Sequence, residues 1–404
     1  MVSYLAHRFR FMVLTFRYRL LPTKAQHRAL EEILESQRQL YNAALEERIG
    51  AYRQVRKTIS YIDQTKSLTE LRHDDPEFAA LPVSIQRSTL KRVDNNHQGF
   101  FRRVKAGGKP GFPRFRGKVR FDSFGFREFC GITLDRQCLR FKGMPGTLRV
   151  HWHREMPGTA IKSCTFKRDT KGWSVAFVVG IAAAEPRKPR RVVGVDLGIC
   201  TFAALSDGGF IPSLRAARKA ERRLRIAQRA LSRKQRNSGG KRKARAVVAR
   251  CHASIARQRR EHLHQTTARL VRDYDAIAVE KLQVKGLARS ALAKDVHDAS
   301  WAKFLSMLRY KAAWAGVRMI EVDPQHTSQD CSCCGMLVPK ELSTRHHDCP
   351  NCGLSIDRDL NAARNILNRA GVGPGLRNVA EFGTRAGENL AWNHAAVKLA
   401  SFKS

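Results

Sequence analysis

The sequence predicts a mixed fold: an all-β region carrying a helical module, followed by an α/β domain with a small metal-bound ribbon. Three observations predict it. Between 109 and 190, pairs such as Ile132/Leu134, Leu139/Phe141, Leu148/Val150/Trp152 and Trp173/Val175/Phe177/Val179 alternate with polar residues, the period of a half-buried strand. From 192 onward short apolar strands alternate with helical stretches. Two pairs, Cys331-x-x-Cys334 and Cys349-x-x-Cys352, lie 14 residues apart, a spacing that suits one zinc ion.

Residues 10 to 20 are rich in β-branched and aromatic side chains and stop at Leu21-Pro22, so they form a strand ended by the proline. Thr23-Lys-Ala-Gln26 reads as a capping box, and Leu30, Ile33, Leu34, Leu40, Tyr41, Ala44 and Leu45 then recur at helical spacing to about residue 55. A second helix runs from about Pro82 to Gly107-Gly108. After the strands of 109 to 190, with a hairpin turn at Lys171-Gly172, the Pro-rich basic run 182 to 191 is a linker. VVGVDLG and CTFAALS are two strands, and Asp207-Gly208-Gly209 turns into a third. Helix follows over 213 to 272 with a break at Asn237-Ser-Gly-Gly240, then strand AIAVE (276 to 280), helix 300 to 315 and strand RMIEV (318 to 322). Three consecutive strands, a helical crossing, a strand, a helix and a strand is the succession of an RNase H-like sheet. The Gly-rich end, Ala370 to Ser404, has weak patterning and reads as a flexible tail.

Composition narrows the function. Lys and Arg number 75 against 35 Asp and Glu, a net charge of +40 over 404 residues. A compact chain resists that self-repulsion unless a polyanion is bound, and 43% hydrophobic content is enough for real cores. Charge also breaks every long apolar run, with Arg8, Arg10, Arg17 and Arg19 splitting the N-terminal one, so neither a signal peptide nor a membrane span is expected. Six of the ten cysteines are scattered, which fits a reducing compartment with one metal site better than a disulfide framework.

Acids are scarce, and a few occupy awkward places. Asp196 interrupts the apolar strand VVGVDLG, where an unpaired carboxylate costs several kcal/mol, and Glu280 ends AIAVE in the same way. Asp357 and Asp359 open the helical run DRDLNAARNIL just past the second Cys pair. Two strand carboxylates joined by one helix-terminal aspartate repel one another unless divalent cations neutralise them, and the arrangement then suits a two-metal phosphodiester cleavage site. Spacing alone leaves both Asp357 and Asp359 open as the third member.

Between 215 and 260 there are 18 Lys and Arg and one acid, Glu221, in helices that keep only a thin apolar stripe. Arg222, Arg225, Arg229, Arg233, Lys234, Lys241, Arg242 and Lys243 are candidate phosphate contacts. In KPGFPRFRGKVRFDSFGF (109 to 126), Arg114, Arg116 and Lys118 can track a nucleic-acid backbone. Phe112 and Phe115 either stack on bases or enter the core. Tyr41 and Asn42 of the first helix are weaker candidates for the same role.

These residues together resemble the transposon-encoded TnpB (OrfB) nucleases, relatives of the compact type V CRISPR effectors. The likeness is carried by GVDLG at Asp196, VEKL at Glu280, TSQDCSCCG, CPNCG and DRDLNAARNIL, with YN at 41 to 42, GFPRFRGK at 111 to 118 and the KGWSVAFVV strand upstream. It implies a β-barrel wedge domain (1–22 and 109–185) carrying a helical recognition module (23–108). It further implies a RuvC nuclease domain of RNase H-like fold (186–325 and 355–370) with a basic helical insert (213–272), a zinc ribbon (326–354) and a tail (371–404). By resemblance the catalytic, metal-binding acids are Asp196, Glu280 and Asp359, holding two Mg2+ or Mn2+ ions, and Cys331, Cys334, Cys349 and Cys352 hold a structural Zn2+. Cys333 adds a third cysteine to the first knuckle, a small departure from the pattern.

The resemblance also implies a guide RNA transcribed from the element's own end, double-stranded DNA cut beside a short motif, hydrolysis by water without a covalent intermediate, and a monomer working with its RNA in a bacterial or archaeal cytoplasm near the nucleoid. Two other functions fit the same chain. A transposase-like strand transferase would join DNA ends, and a non-cleaving RNA-guided regulator would have a damaged acid set, which this sequence does not show.

Overall fold

The computed structural model describes residues 11–108, 110–157, 160–282, 300–341 and 344–371, and the chain divides into two compact units that meet between Ala182 and Ala183. The expected tail, beyond 371, lies outside the described residues.

In the first unit, strand β1 (Phe11–Leu21) stops at Pro22, where a ladder donor is lost, and helix α1 (Lys24–Val55) begins. The capping box forms reciprocally: Gln26 N–H donates to Thr23 Oγ1 at 3.3 Å and Thr23 N–H to Gln26 Oε1 at 3.1 Å. Helix α2 (Tyr61–Asp74) and the short α3 (Pro76–Ala79) follow, then α4 (Val83–Lys105). Leu30, Ile33, Leu34, Tyr41 and Leu45 of α1 and Ile85, Leu90 and Val93 of α4 are all buried, each worth about 1.5–3 kcal/mol for a large apolar side chain.

Six further strands complete this unit: β2 (Ser123–Phe126), β3 (Ile132–Asp135), β4 (Cys138–Phe141), β5 (Leu148–His151), β6 (Ile161–Asp169) and β7 (Gly172–Ala182). With β1 they form one antiparallel sheet in the order β2-β6-β7-β1-β5-β4-β3. The sheet curls until Phe126 of β2 and Phe141 of β4 meet edge to face at 5.4 Å, while Phe141 and Phe166 of β6 also stand 5.4 Å apart. It is therefore nearly a barrel, filled by aromatics, with no pairing between its end strands β2 and β3 among the described residues. Strands β2 and β6 and helix α2 went unread in the sequence.

The second unit opens with β8 (Val192–Leu197), β9 (Thr201–Leu205) and β10 (Phe210–Pro212), crosses through α5 (Ala216–Ser232) and α6 (Gly239–Asp273), and continues with β11 (Ala276–Glu280), α7 (Trp301–Ala315) and β12 (Arg318–Val322). The sheet order is β10-β9-β8-β11-β12, in which β8, β11 and β12 run parallel and β9 and β10 are antiparallel to their neighbours. Val193, Val195, Phe202, Ile277, Val279 and, from the helices, Leu263, Leu270, Phe304 and Leu308 form its core.

A two-stranded hairpin, β13 (His346–Asp348) with β14 (Ser355–Asp357), leads into α8 (Arg358–Arg369), which packs on β8, β9 and β11. The approach is close: a Cβ on Gly194 of β8 would sit 2.1 Å from the Ala363 carbonyl oxygen and 2.8 Å from Leu367 N. Only glycine lets the helix lie on this strand.

Candidate functional site

Strands β8 and β11 pair in parallel with Val195 opposite Val279, so the next residues, Asp196 and Glu280, stand side by side at the carboxyl end of the sheet. The chain leaves β8 toward β9 on one side and places β11 on the other, making this the point where strand order reverses. In open α/β sheets, ligands bind at that point. Helix α8 brings the third acid. Asp357 is its N-cap, one carboxylate oxygen accepting from the Asp359 and Leu360 N–H groups at 2.8 and 3.1 Å. Asp359, in the first turn, instead comes within 3.7 Å of where a Cβ on Gly198, just past β8, would lie. The capping contact thus separates two aspartates that spacing left equivalent.

Asp196 keeps some surface open, yet protein packs densely around its carboxyl. Burial foremost, then the charges of Glu280 and Asp359, push its proton affinity well above the usual carboxylate range, and Arg358 only partly offsets them. Burial also raises Glu280, while the Thr327 hydroxyl, which donates to Glu280 Oε1, and the charge of Arg369 pull it back. Arg358 donates through Nε and Nη2 to Asp359 Oδ1 at 3.2 and 3.1 Å and through Nη1 to the Thr344 carbonyl at 2.9 Å. Three hard oxygen donors whose mutual repulsion raises a proton's affinity form a donor set suited to hard divalent cations. Among the described residues the carboxylates are not drawn into a closed metal-distance cluster; the cysteines are.

Each cysteine pair sits in a matching turn. Cys331 N–H donates to Met336 O at 2.8 Å and Gly335 N–H to Cys331 O at 2.9 Å, repeated as Cys349 to Leu354 at 2.9 Å and Gly353 to Cys349 at 3.0 Å. The two glycines have φ of 77° and 70°. The sulfurs of Cys331 and Cys352 lie 3.6 Å apart, those of Cys334 and Cys349 3.5 Å, and all four within 4.8 Å of one another. Tetrahedral zinc with bonds of about 2.3 Å asks for sulfurs about 3.8 Å apart, so the quartet fits it. Hydrogen bonds from the Asn351 side chain and then the Met336 N–H lower the Cys334 thiol, while Cys352, despite the Leu354 N–H, is raised by desolvation and the neighbouring cysteines, as expected of four thiols crowded together. Cys333 is exposed and outside the quartet.

The basic candidates divide. Arg222, Arg225, Arg229, Arg233, Lys234, Arg242 and Lys243 are exposed along α5, the turn after it and the start of α6, and Lys241 is half-buried. In the first unit Arg114 and Lys118 are exposed on an irregular segment, as are Phe112 (47%) and Phe115 (53%), so these rings do not fill the core; Phe112 leans edge-on against Phe100 at 5.2 Å and His97 at 5.7 Å. Tyr41 and Asn42 are engaged inside the first unit. Tyr41 is fully buried, its hydroxyl accepting from Asn96 Nδ2 at 2.9 Å. Asn42 spends its amide on Arg116, accepting from its N–H at 2.8 Å and donating to its carbonyl at 3.1 Å, so it fastens the basic segment to α1. Arg116 is consequently half-buried.

Thr327, Asn361 and Asn365 were not singled out in the sequence, although each lies inside a motif that was, TSQDCSCCG or DRDLNAARNIL. Neither motif signals which of its polar residues turns inward.

Three family models match the chain: OrfB_IS605, described as "Probable transposase", over residues 174–291; the Cas12f1-like TNB domain over 301–366; and a helix-turn-helix domain, HTH_OrfB_IS605, over 12–57. The last span is here a strand and one continuous helix, β1 and α1. A protein of Streptomyces pristinaespiralis named as an RNA-guided DNA endonuclease is 31% identical over 87% of this chain and 88% of its own length. InsQ of Escherichia coli K12, named in the same way, is 27% identical over 87% of this chain and 91% of its own. The solved mini-RNA-guided endonuclease CRISPR-Cas_phi3 aligns with 90% of this chain and 92% of its own at 10% identity and a TM-score of 0.49, too loose a likeness to assign residues.

Proposed function

The chain belongs to the TnpB (OrfB) family, and on that premise we propose that it is an RNA-guided, Mg2+-dependent DNA endonuclease encoded by a transposable element. The observation that carries the reading is that Asp196 and Glu280 follow the last paired residues of adjacent parallel strands at the switch point of the second unit's sheet, with Asp359 brought up by α8. The strand order of that sheet supports an RNase H-like RuvC domain over 186–325 and 355–370, with 213–272 as its basic insert and 326–354 as its zinc ribbon. The curled sheet supports a wedge domain over 1–22 and 109–185, and α1 to α4 a recognition module over 23–108.

Asp196, Glu280 and Asp359 would hold two Mg2+ ions, for which Mn2+ can substitute, and the four cysteines one structural zinc. When bound, the Mg2+ pair supplies charge stabilisation to the attacking and leaving oxygens of a phosphodiester. The protein's own part is to hold the carboxylates in place, with Thr327 on Glu280 and Arg358 on Asp359. Exposed cations of α5 and α6 bind phosphates, and Arg114 and Lys118 do the same in the first unit. Base pairing with a guide RNA from the element's end supplies specificity, while the protein reads a short adjacent DNA motif. The working species is a monomer with its RNA in the cytoplasm; no helix among the described residues is long and apolar enough to cross a membrane.

Purification from the native locus tests the guided part. A discrete RNA overlapping the element's end should come down with the protein, and RNA-free protein that still cuts would contradict it. Joined DNA ends in place of cleaved ones would favour strand transfer.

A further inference from the structure

The segment between β12 and the first cysteine knuckle is largely exposed, and the one residue it turns inward, Thr327, reaches a candidate nuclease acid. Thr327, 4% exposed, donates its hydroxyl to Glu280 Oε1. The alternative acceptor, the Pro324 carbonyl at 3.2 Å, is neutral, and a hydroxyl has a single proton, so the carboxylate takes it.

What fixes Thr327 is a pair of asparagines one turn apart on α8, both buried, Asn361 at 0% and Asn365 at 6%. Asn365 Nδ2 donates to the Thr327 carbonyl at 2.9 Å and to the Asp330 carbonyl at 2.6 Å. Asn361 Nδ2 donates to the same Asp330 carbonyl at 2.7 Å, and its Oδ1 accepts from Ser332 N–H at 2.9 Å. Two side chains therefore grip the backbone on both sides of the metal-ligand candidate Cys331. They sit on the helix that carries Asp359 and lies bare against Gly194, two residues before Asp196.

We propose that Thr327 is a positioning residue for Glu280, set in place by Asn365 and Asn361 and through them by the first cysteine knuckle. This rests on the reading that Glu280 is a Mg2+ ligand. Such a group does not touch substrate; it fixes the rotamer of a ligand, and losing an outer partner of that kind lowers metal affinity by about 10–100-fold. The Asn pair gives the ribbon a task beyond its own folding: it keeps the residue that orients one acid on the helix that delivers another.

The test is a Mg2+ titration of cleavage by the RNA-loaded full-length protein. Thr327→Val, which keeps the shape and removes the donor, should raise half-saturating Mg2+ about 10-fold or more while cleavage at saturation stays within a few-fold and zinc and RNA contents are unchanged. Thr327→Ser should restore the parental midpoint. Thr327→Ala carries the same expectation as valine and serves if the valine chain loses zinc. A Thr327→Val curve that coincides with the parent while Glu280→Ala is inactive would overturn this inference alone. So would equal shifts for serine and valine, which would make the role one of packing. Parental cutting by Glu280→Ala would overturn the acid assignment and this inference with it.

Discussion

Asp196 is under electrostatic tension, because burial and two neighbouring carboxylates all favour its neutral form. The sign of the consequence follows. A carboxyl whose folded pKa exceeds its unfolded value contributes stability below the unfolded value, and loses it as pH rises through the folded one. With divalent cations chelated, Asp196→Asn should therefore melt above the parent at pH 7 to 8, with the difference shrinking toward pH 4. About 1 kcal/mol corresponds to roughly 2–4 °C for a domain of 150–250 residues. A parent that melts as high as the variant across the whole range would show that the carboxylate is not under strain. For the same reason half-saturating Mg2+ should climb as pH falls, starting above the ordinary carboxylate range, since protons and cations compete for Asp196. The residue itself was legible in the sequence, as an acid inside an apolar strand. The choice between Asp357 and Asp359 was not, because it turns on which carboxylate accepts the α8 backbone N–H groups. The burial of Tyr41 was legible too: it sits seven residues after Leu34 and four before Leu45, on the buried face of α1.

Elements are where packing decides whether the acids meet. Helix α8 reaches β8 only because Gly194 has no side chain, so Gly194→Ala should cost about 1–3 kcal/mol of stability and most of the cleavage, by pushing Asp359 away from Asp196. Circular dichroism melts with a cleavage assay check this, and a variant with parental melting and cutting would refute the close approach. The four cysteines cluster closely enough to hold a metal ion. Cys349→Ser, or zinc chelation, should destabilise the second unit, whereas an unchanged melt together with no zinc by mass spectrometry would remove the metal. Most elements could be read from periodicity, including the sheet β8 to β12. Helix α2 could not, since only Gln64 and Leu68 of its residues are buried, too few for an apolar stripe. Its start was nonetheless marked by the Ser60/Asp63 capping box. Strand β2 was hidden inside the segment 109 to 126, read as able to track a nucleic-acid backbone, and its two phenylalanines look alike whether they line a core or a groove.

For the whole molecule the governing quantity is the charge of +40, of which residues 215 to 260 carry 18 − 1 = +17. The structure leaves most of those candidate side chains exposed on α5 and α6, the placement that phosphate binding requires. RNA affinity should fall steeply with salt, and neutralising Arg222, Arg225 and Arg229 together should reduce the slope of log affinity against log salt by up to about 3; an unchanged slope would place the RNA elsewhere. The central claim joins this cationic surface to the acid site in one guided nuclease. Its most direct test is Asp196→Ala, purified with its RNA and offered DNA that matches the guide. The account predicts parental RNA content and no cleavage; cutting at the parental rate would contradict it.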